Sequence, residues 1–137
     1  MKKIPFVKRF EQWLPIKKSL DQSSQNIPGF KERDLWMTSF GENVGFESSG
    51  KNDFFHRPVI VLLKFNKRLF FGIPTSTKNK PKNPFYIEFT HKGKIRSAMI
   101  SQMRVMDGKR LDYRMGRLSI HDFQLIKSSF LDLFIKK

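Results

Sequence analysis

The stretch Arg57-Pro58-Val59-Ile60-Val61-Leu62-Leu63-Lys64-Phe65-Asn66-Lys67-Arg68-Leu69-Phe70-Phe71-Gly72-Ile73-Pro74-Thr75 decides the fold class. Arg57–Phe65 is short and rich in β-branched residues, the pattern of a largely buried strand. Pro58 has no N–H to give a ladder, so it marks the strand's start. Asn66-Lys67 suggests a tight hairpin turn into a second strand, Arg68–Thr75. Two strands paired through that turn bring their far ends together. Arg57 then lies beside the hydroxyls of Thr75, Ser76 and Thr77.

More strands surround this hairpin. Asp34–Phe40 reads as a short strand, and Gly41–His56 as a long loop with three glycines and several small polar residues. A loop of that length in a compact domain is usually functional or disordered. Ser76–Asn83 is a basic loop carrying Lys78, Lys80 and Lys82. Pro84–His91 alternates as a strand, Lys92-Gly93 turns, and Lys94–Ser101 pairs back, with Gln102–Val105 continuing it. Short strands joined by turns predict an α+β, mainly β chain: a small antiparallel sheet or barrel. A helix closes it. Ser119 and Asp122 fit a capping box, and Phe123, Ile126, Phe130, Leu133 and Phe134 fall on one face. Before the sheet, Phe6, Phe10, Trp13 and Leu20 have helical spacing, which Pro15 should split or kink. Residues 21–29 are turn chemistry. The expected division is a helical arm and linker over 1–30 and a core domain over 31–137.

The chain has 137 residues, about one domain. Its 39% hydrophobic content, with 15 Phe, argues against disorder. Twenty-seven Lys and Arg against 12 Asp and Glu give a net charge of +15. A field of that sign attracts polyanions, with nucleic acid first, an acidic protein second and an anionic membrane surface third. The absence of cysteine excludes disulfides, thiolate catalysis and cysteine-ligated metal centres. The apolar stretch at the N-terminus is interrupted too soon for a signal peptide, and Pro58–Leu63 is too short to span a bilayer. A cytoplasmic protein with no membrane association is expected.

His56, His91 and His121 are scattered, with no metal-ligand spacing, no nucleophile elbow and no phosphate-binding loop. No metal and no cofactor are expected. Attention falls on arginine, hydroxyls and basic loops. Arg57 stands at the mouth of a buried strand, and Pro74-Thr75-Ser76-Thr77-Lys78 ends its partner. That juxtaposition suits phosphodiester cleavage in RNA, which carries its own nucleophile in the 2′-hydroxyl. The guanidinium fork matches phosphate oxygens, and a hydroxyl adds a donor. The competing reading is that Arg57 and the hydroxyls only make strand-end hydrogen bonds. Spacing alone leaves both open.

Several segments, in order, resemble the PemK/MazF-like toxins of bacterial toxin–antitoxin systems, in a subgroup with an N-terminal helical extension. They are Gly41-Glu42-Asn43-Val44-Gly45-Phe46-Glu47, Arg57-Pro58-Val59, Gly72-Ile73-Pro74, Ser101-Gln102-Met103-Arg104, Asp107-Gly108-Lys109-Arg110-Leu111 and the closing helix. The resemblance covers about Lys31 to the C-terminus. It implies an SH3-like barrel, a homodimer, a cognate acidic antitoxin, and metal-independent cleavage of single-stranded RNA to 2′,3′-cyclic phosphate and 5′-hydroxyl ends. The family's arginine before proline falls on Arg57. Its pattern of proline, apolar residue, threonine and serine meets Pro74-Thr75-Ser76-Thr77 here, so Ser76 takes the threonine position and Thr77 the serine position. The resemblance therefore assigns catalysis to Arg57 and Ser76, with Thr75, Thr77 and Glu47 as supporting candidates. Lys51, His56, Lys78, Lys80 and Lys82 are the expected RNA contacts. The fold also serves toxins that poison gyrase, but their aromatic-containing tail is not matched by Phe134-Ile135-Lys136-Lys137. A non-catalytic RNA-binding barrel is the other alternative, discriminated by an RNA cleavage assay.

Overall fold

The computed structural model describes residues 7–135. In chain order they form helix α1 (Phe10–Gln22) and strands β1 (Asp34–Ser39), β2 (His56–Lys64), β3 (Leu69–Ser76), β4 (Tyr86–His91), β5 (Lys94–Met99), β6 (Arg104–Asp107) and β7 (Leu111–Arg117). Helix α2 (Ile120–Ile135) closes the chain. The strands make one curled antiparallel sheet in the order β4-β5-β3-β2-β1-β7, with β6 also pairing with β3. The expected mainly β architecture with a helix at each end is present.

The β2–β3 hairpin forms as the sequence suggests. Phe65 N–H donates to Leu69 O at 3.0 Å, so Asn66, Lys67 and Arg68 make the loop. The Asn66 side chain accepts from the N–H groups of Arg68 and Leu69, which is why asparagine suits the turn. The strand β2 starts at His56, with Pro58 as its third residue rather than its first.

The continuous apolar run of β2 reflects burial on both faces. Ile60 and Leu62 join Leu35, Ile73, Phe89, Ile100, Phe123 and Ile126 in one core, under α2. Val59 and Val61 join Phe30, Trp36, Phe40, Phe70, Met106 and Leu111 in a second core on the other face. Each fully buried side chain of this size contributes roughly 1.5–3 kcal/mol. Gly72 of β3 lies in the second core, where an added Cβ would come within 2.6 Å of Val59 Cγ1 and 2.9 Å of the Met106 sulfur.

Several expectations change. Gln102–Val105 does not extend β5, because a 3₁₀ turn at Ile100–Gln102 redirects the chain and β6 pairs with β3. The strand β7 was not foreseen; it pairs with β1 through two register shifts and buries only Leu111. Of the two outcomes expected at Pro15, the split into two pieces does not occur. One helix runs through Pro15, and the missing donor leaves only the carbonyl four residues back without its helical partner. Phe6 lies outside the described residues. On α2, Phe123 and Ile126 are buried and Phe130 packs on the core, but Leu133 and Phe134 are exposed. Sixteen residues make a helix about 24 Å long, and its packing on β4 and the 3₁₀ turn is confined to part of that length. The capping box is half made: Ser119 Oγ accepts from Asp122 N–H at 3.1 Å. The Asp122 carboxylate instead accepts from Thr90 N–H of β4 at 3.2 Å, tying the helix to the sheet.

Candidate nucleic-acid interface and active site

The β2–β3 ladder ends at the pair Val59 and Pro74. Beyond it Pro58 and Pro74 supply no N–H, so the strands part. The end of β3 swings to β5 instead, pairing Thr75 with Ala98 and Ser76 with Ser97. Arg57 spans the opening. Its Nη1 donates to Thr75 O at 3.0 Å and its Nε to Ser49 O at 2.7 Å. Two of the five guanidinium N–H groups are thus held by carbonyls, and the rest remain for a ligand. Burial pushes the Arg57 pKa down from its usual value, and Tyr86 acts in the opposite sense. The shift measures the cost of desolvating a charge; arginine stays protonated.

The three hydroxyls differ. Thr75 is 1% exposed and its Oγ1 donates to Pro58 O at 3.0 Å, which bridges the parted strands. Ser76 is 7% exposed, and its Oγ accepts from Lys78 N–H at 3.0 Å, so its own proton is free to donate. Thr77 is exposed at the start of the loop. Opposite Ser76, Ser97 has a buried hydroxyl without a hydrogen-bond partner among the described residues.

The electrostatics gather some of the expected lysines. The Lys51 ammonium is held below the usual lysine range by burial first, then by the charges of Arg57 and Lys78. These three cations therefore share one region. Lys80 Nζ stands 5.0 Å from the centroid of the ring of Tyr86, the residue that also acts electrostatically on Arg57. Lys82 is exposed on the loop. His56 is not brought to Arg57. As the adjacent strand residue it points to the other face, where Nε2 is 3.2 Å from an Asp112 carboxylate oxygen and the ring stacks on Phe54. Glu47 lies on the exposed loop, accepts from Val44 N–H at 3.3 Å, and acts electrostatically on Arg104.

Arg104 and Arg110 were not singled out from the sequence. Arg104 stands 5.2 Å from the Phe40 ring centroid and Arg57 6.0 Å from the same ring. Arg110 donates through Nη1 to Ser39 O at 3.1 Å and Phe40 O at 3.2 Å. Burial, then Arg104, pushes the Arg110 pKa down to about 10, with Asp107 opposing. A cleft of about 400 Å³ opens here, walled by Phe40, Asn43, Glu47, Ser48, Gln102 and Arg104 among others. Local sequence carries no sign of this cleft, because its walls come from Phe40 just after β1, the 41–56 loop, the 3₁₀ turn and the start of β6. The resemblance had flagged Ser101-Gln102-Met103-Arg104 and Asp107–Leu111 as segments without giving them a task. Among the described residues no three His, Asp or Glu side chains gather in metal-ligand proximity, and no helix is long and apolar enough to cross a membrane.

Comparison with known proteins places this geometry. No curated protein matches the chain in sequence. Among solved structures, MazF from Deinococcus radiodurans is similar with a TM-score of 0.64 at 17% identity, over 80% of this chain and 98% of that one. A Mycobacterial endoribonuclease, solved in complex with its cognate antitoxin, gives 0.60 at 6% identity over 80% and 98%. The Mycobacterium tuberculosis toxin MazF-mt6 gives 0.53 at 10% identity over 77% and 99%. At such identities these likenesses show a shared fold. The sequence model of one family matches residues 31–134, the whole sheet and nearly all of α2. By that match the chain belongs to the PemK-like, MazF-like toxins of type II toxin–antitoxin systems.

Proposed function

We propose that this toxin is an endoribonuclease that cuts single-stranded RNA without a metal ion, leaving 2′,3′-cyclic phosphate and 5′-hydroxyl ends. The observation that carries the reading is Arg57 anchored by two carbonyls across the parted strands, with Lys51 and Lys78 beside it. In the reaction the 2′-oxygen loses its proton to solvent water and bonds to the adjacent phosphorus. The bond to the 5′-oxygen breaks, and that oxygen takes up a proton. Charge grows on the non-bridging oxygens between these events. A preorganised guanidinium aimed there lowers the barrier by roughly 3–4 kcal/mol. Arg57 supplies this stabilisation through hydrogen bonds from a guanidinium that stays protonated, so it is not the base. The free Ser76 proton adds a second donor, and the Lys78, Lys80 and Lys82 loop guides the phosphate chain. The cleft beside Phe40 accommodates a neighbouring nucleotide. The test is cleavage of single-stranded RNA in excess chelator, with product ends identified chemically. An absolute need for added Mg²⁺ overturns the metal-independent reading, and RNA binding without cleavage overturns the enzyme.

The toxin is further proposed to act as a homodimer and to be restrained by an acidic antitoxin segment that folds over the Arg57 groove. The net charge of +15 and the antitoxin complex of the Mycobacterial endoribonuclease support the second point. Sedimentation tests the dimer. Cleavage measured with increasing amounts of the protein encoded by the adjacent gene tests the inhibitor: a neighbour that binds and leaves cleavage unchanged is not the antitoxin.

A further inference from the structure

The helix α1 precedes the segment matched to the family, yet it is fastened to the loop that serves Arg57. Trp13 is its one buried residue. The indole lies 5.5 Å from the Phe55 ring between centroids. It also rests on Gly41, where φ is +96° and an added Cβ would come within 2.5 Å of Trp13 Cζ2. Polar contacts flank it. Lys8 Nζ donates to the carbonyls of Asn43 and Gly45, the second at 2.8 Å. Arg9 N–H donates to the buried Glu42 carboxylate at 2.9 Å. The Arg9 guanidinium donates to Asn52 O at 2.6 Å, meets Asp53 at 3.3 Å and lies 4.5 Å from the Phe55 ring centroid.

The loop passes these contacts on. Gly50 N–H donates to Gly41 O at 2.6 Å, and Asn43 N–H donates to Ser49 Oγ at 2.8 Å. Ser49 O is the acceptor that holds Arg57 Nε. The residues Asn43, Glu47 and Ser48 of the same loop wall the cleft, whereas no residue of the arm does. The arm thus braces the loop from behind and leaves the cleft open.

We propose that Trp13 and Arg9 are positioning residues: the arm straps the 41–56 loop into the conformation that aims Arg57 and shapes the cleft. The catalytic half of this proposal rests on the Arg57 site cutting RNA; the strap itself does not. Displacing a reacting group by about 1 Å costs on the order of a hundredfold in rate, so loosening the loop reaches the chemistry without any direct contact. Autoinhibition by the arm is the opposing possibility, and the same experiment decides it.

The experiment uses the full chain with Trp13→Ala, Trp13→Phe, and the double change Lys8→Ala with Arg9→Ala. The double change touches no core residue and keeps the test open if Trp13→Ala does not fold. Hydrogen exchange is followed at Asn43 and Gly50, with Ile60 and Ile73 as core references, and kcat and KM are measured on single-stranded RNA. In Trp13→Ala and the double variant, exchange at Asn43 and Gly50 should quicken about tenfold or more while the core amides are unchanged, the signature of local opening. With them kcat should fall about tenfold or more, and Trp13→Phe should restore most of it. Unchanged exchange at Asn43 and Gly50 overturns the strap. Loosened exchange with kcat unchanged or raised overturns the positioning role. A wild-type chain that cuts no RNA removes the catalytic half along with the proposed activity, and exchange still decides the strap.

Discussion

The guanidinium of Arg57 donates to the carbonyl of Thr75 at 3.0 Å, across the gap where β2 and β3 part. The bond joins the two strand ends at the place where two prolines end their ladder. It also fixes the plane of the guanidinium, because a second N–H is held by Ser49 O. Arg57 also stands half-buried in a cation-rich region, 6.0 Å from the Phe40 ring that walls the cleft, a setting that suits the proposed role. Arg57→Ala should lower RNA cleavage by about a hundredfold or more while circular dichroism reports an intact sheet. Arg57→Lys should also be poor, since an ammonium cannot reach both carbonyls and keep planar donors for phosphate. Near-normal cleavage by Arg57→Ala would reduce the residue to a structural tie.

The hydroxyls should separate stability from rate. Thr75→Ala removes the hydroxyl donor to Pro58 O in a partly buried position and should cost about 1–2 kcal/mol in a urea titration. Ser76→Ala should slow cleavage more than Thr75→Ala does and cost less stability, because it removes only the acceptor of one N–H at the start of a loop. Thr77→Ala should be mild. A severe Thr77→Ala would instead assign the reaction to the exposed hydroxyl and shift the register of the family pattern by one residue.

Replacing Lys78, Lys80 and Lys82 together by alanine should weaken RNA binding and flatten its dependence on salt. Each lost phosphate contact lowers the slope of log K against log salt by about 0.7 for a single strand. The measurement is a series of binding isotherms from low to moderate salt. An unchanged slope would move the path of the RNA to the 41–56 loop.

Lys51 sets an alkaline limit. Its pKa lies below the usual lysine range because of burial and the charges of Arg57 and Lys78. The charged form is the one that attracts phosphate, and it is present below that pKa. RNA affinity should therefore decline as pH rises through it, earlier than an ordinary lysine would allow. Lys51→Arg should carry the decline to higher pH, since arginine keeps its charge. A profile that Lys51→Arg does not move would place Lys51 away from the RNA.

The hairpin was legible because its signals are local: an unbroken apolar run for a strand buried on both faces, then an asparagine that closes the turn. The juxtaposition of Arg57 with the end of β3 followed from antiparallel pairing alone. The strand β7 was not legible. Leu111–Arg117 carries three charged residues and buries one side chain, and only its pairing with β1 makes it a strand. Nor was the path of β6, which depends on a 3₁₀ turn that redirects the chain from β5 toward β3. For the same reason Arg104 and Arg110 escaped notice. Their nearness to Phe40 is a product of the curl of the sheet, not of any spacing. The side chain of His56 was not legible either: alternation along the strand sends it to the face opposite Arg57, against Asp112 and Phe54.

The position of Arg57 and Ser76 on strand ends, with the cleft walled mainly by connecting segments, has an evolutionary consequence. The groups proposed for bond breaking sit on the sheet, where packing and pairing leave little room for change. The walls drawn from the 41–56 loop and the Ser101–Arg104 segment accept substitution and altered length far more readily. If the proposed cleavage holds, changes in these walls would alter which RNA sequence is accepted and leave the reacting groups as they are.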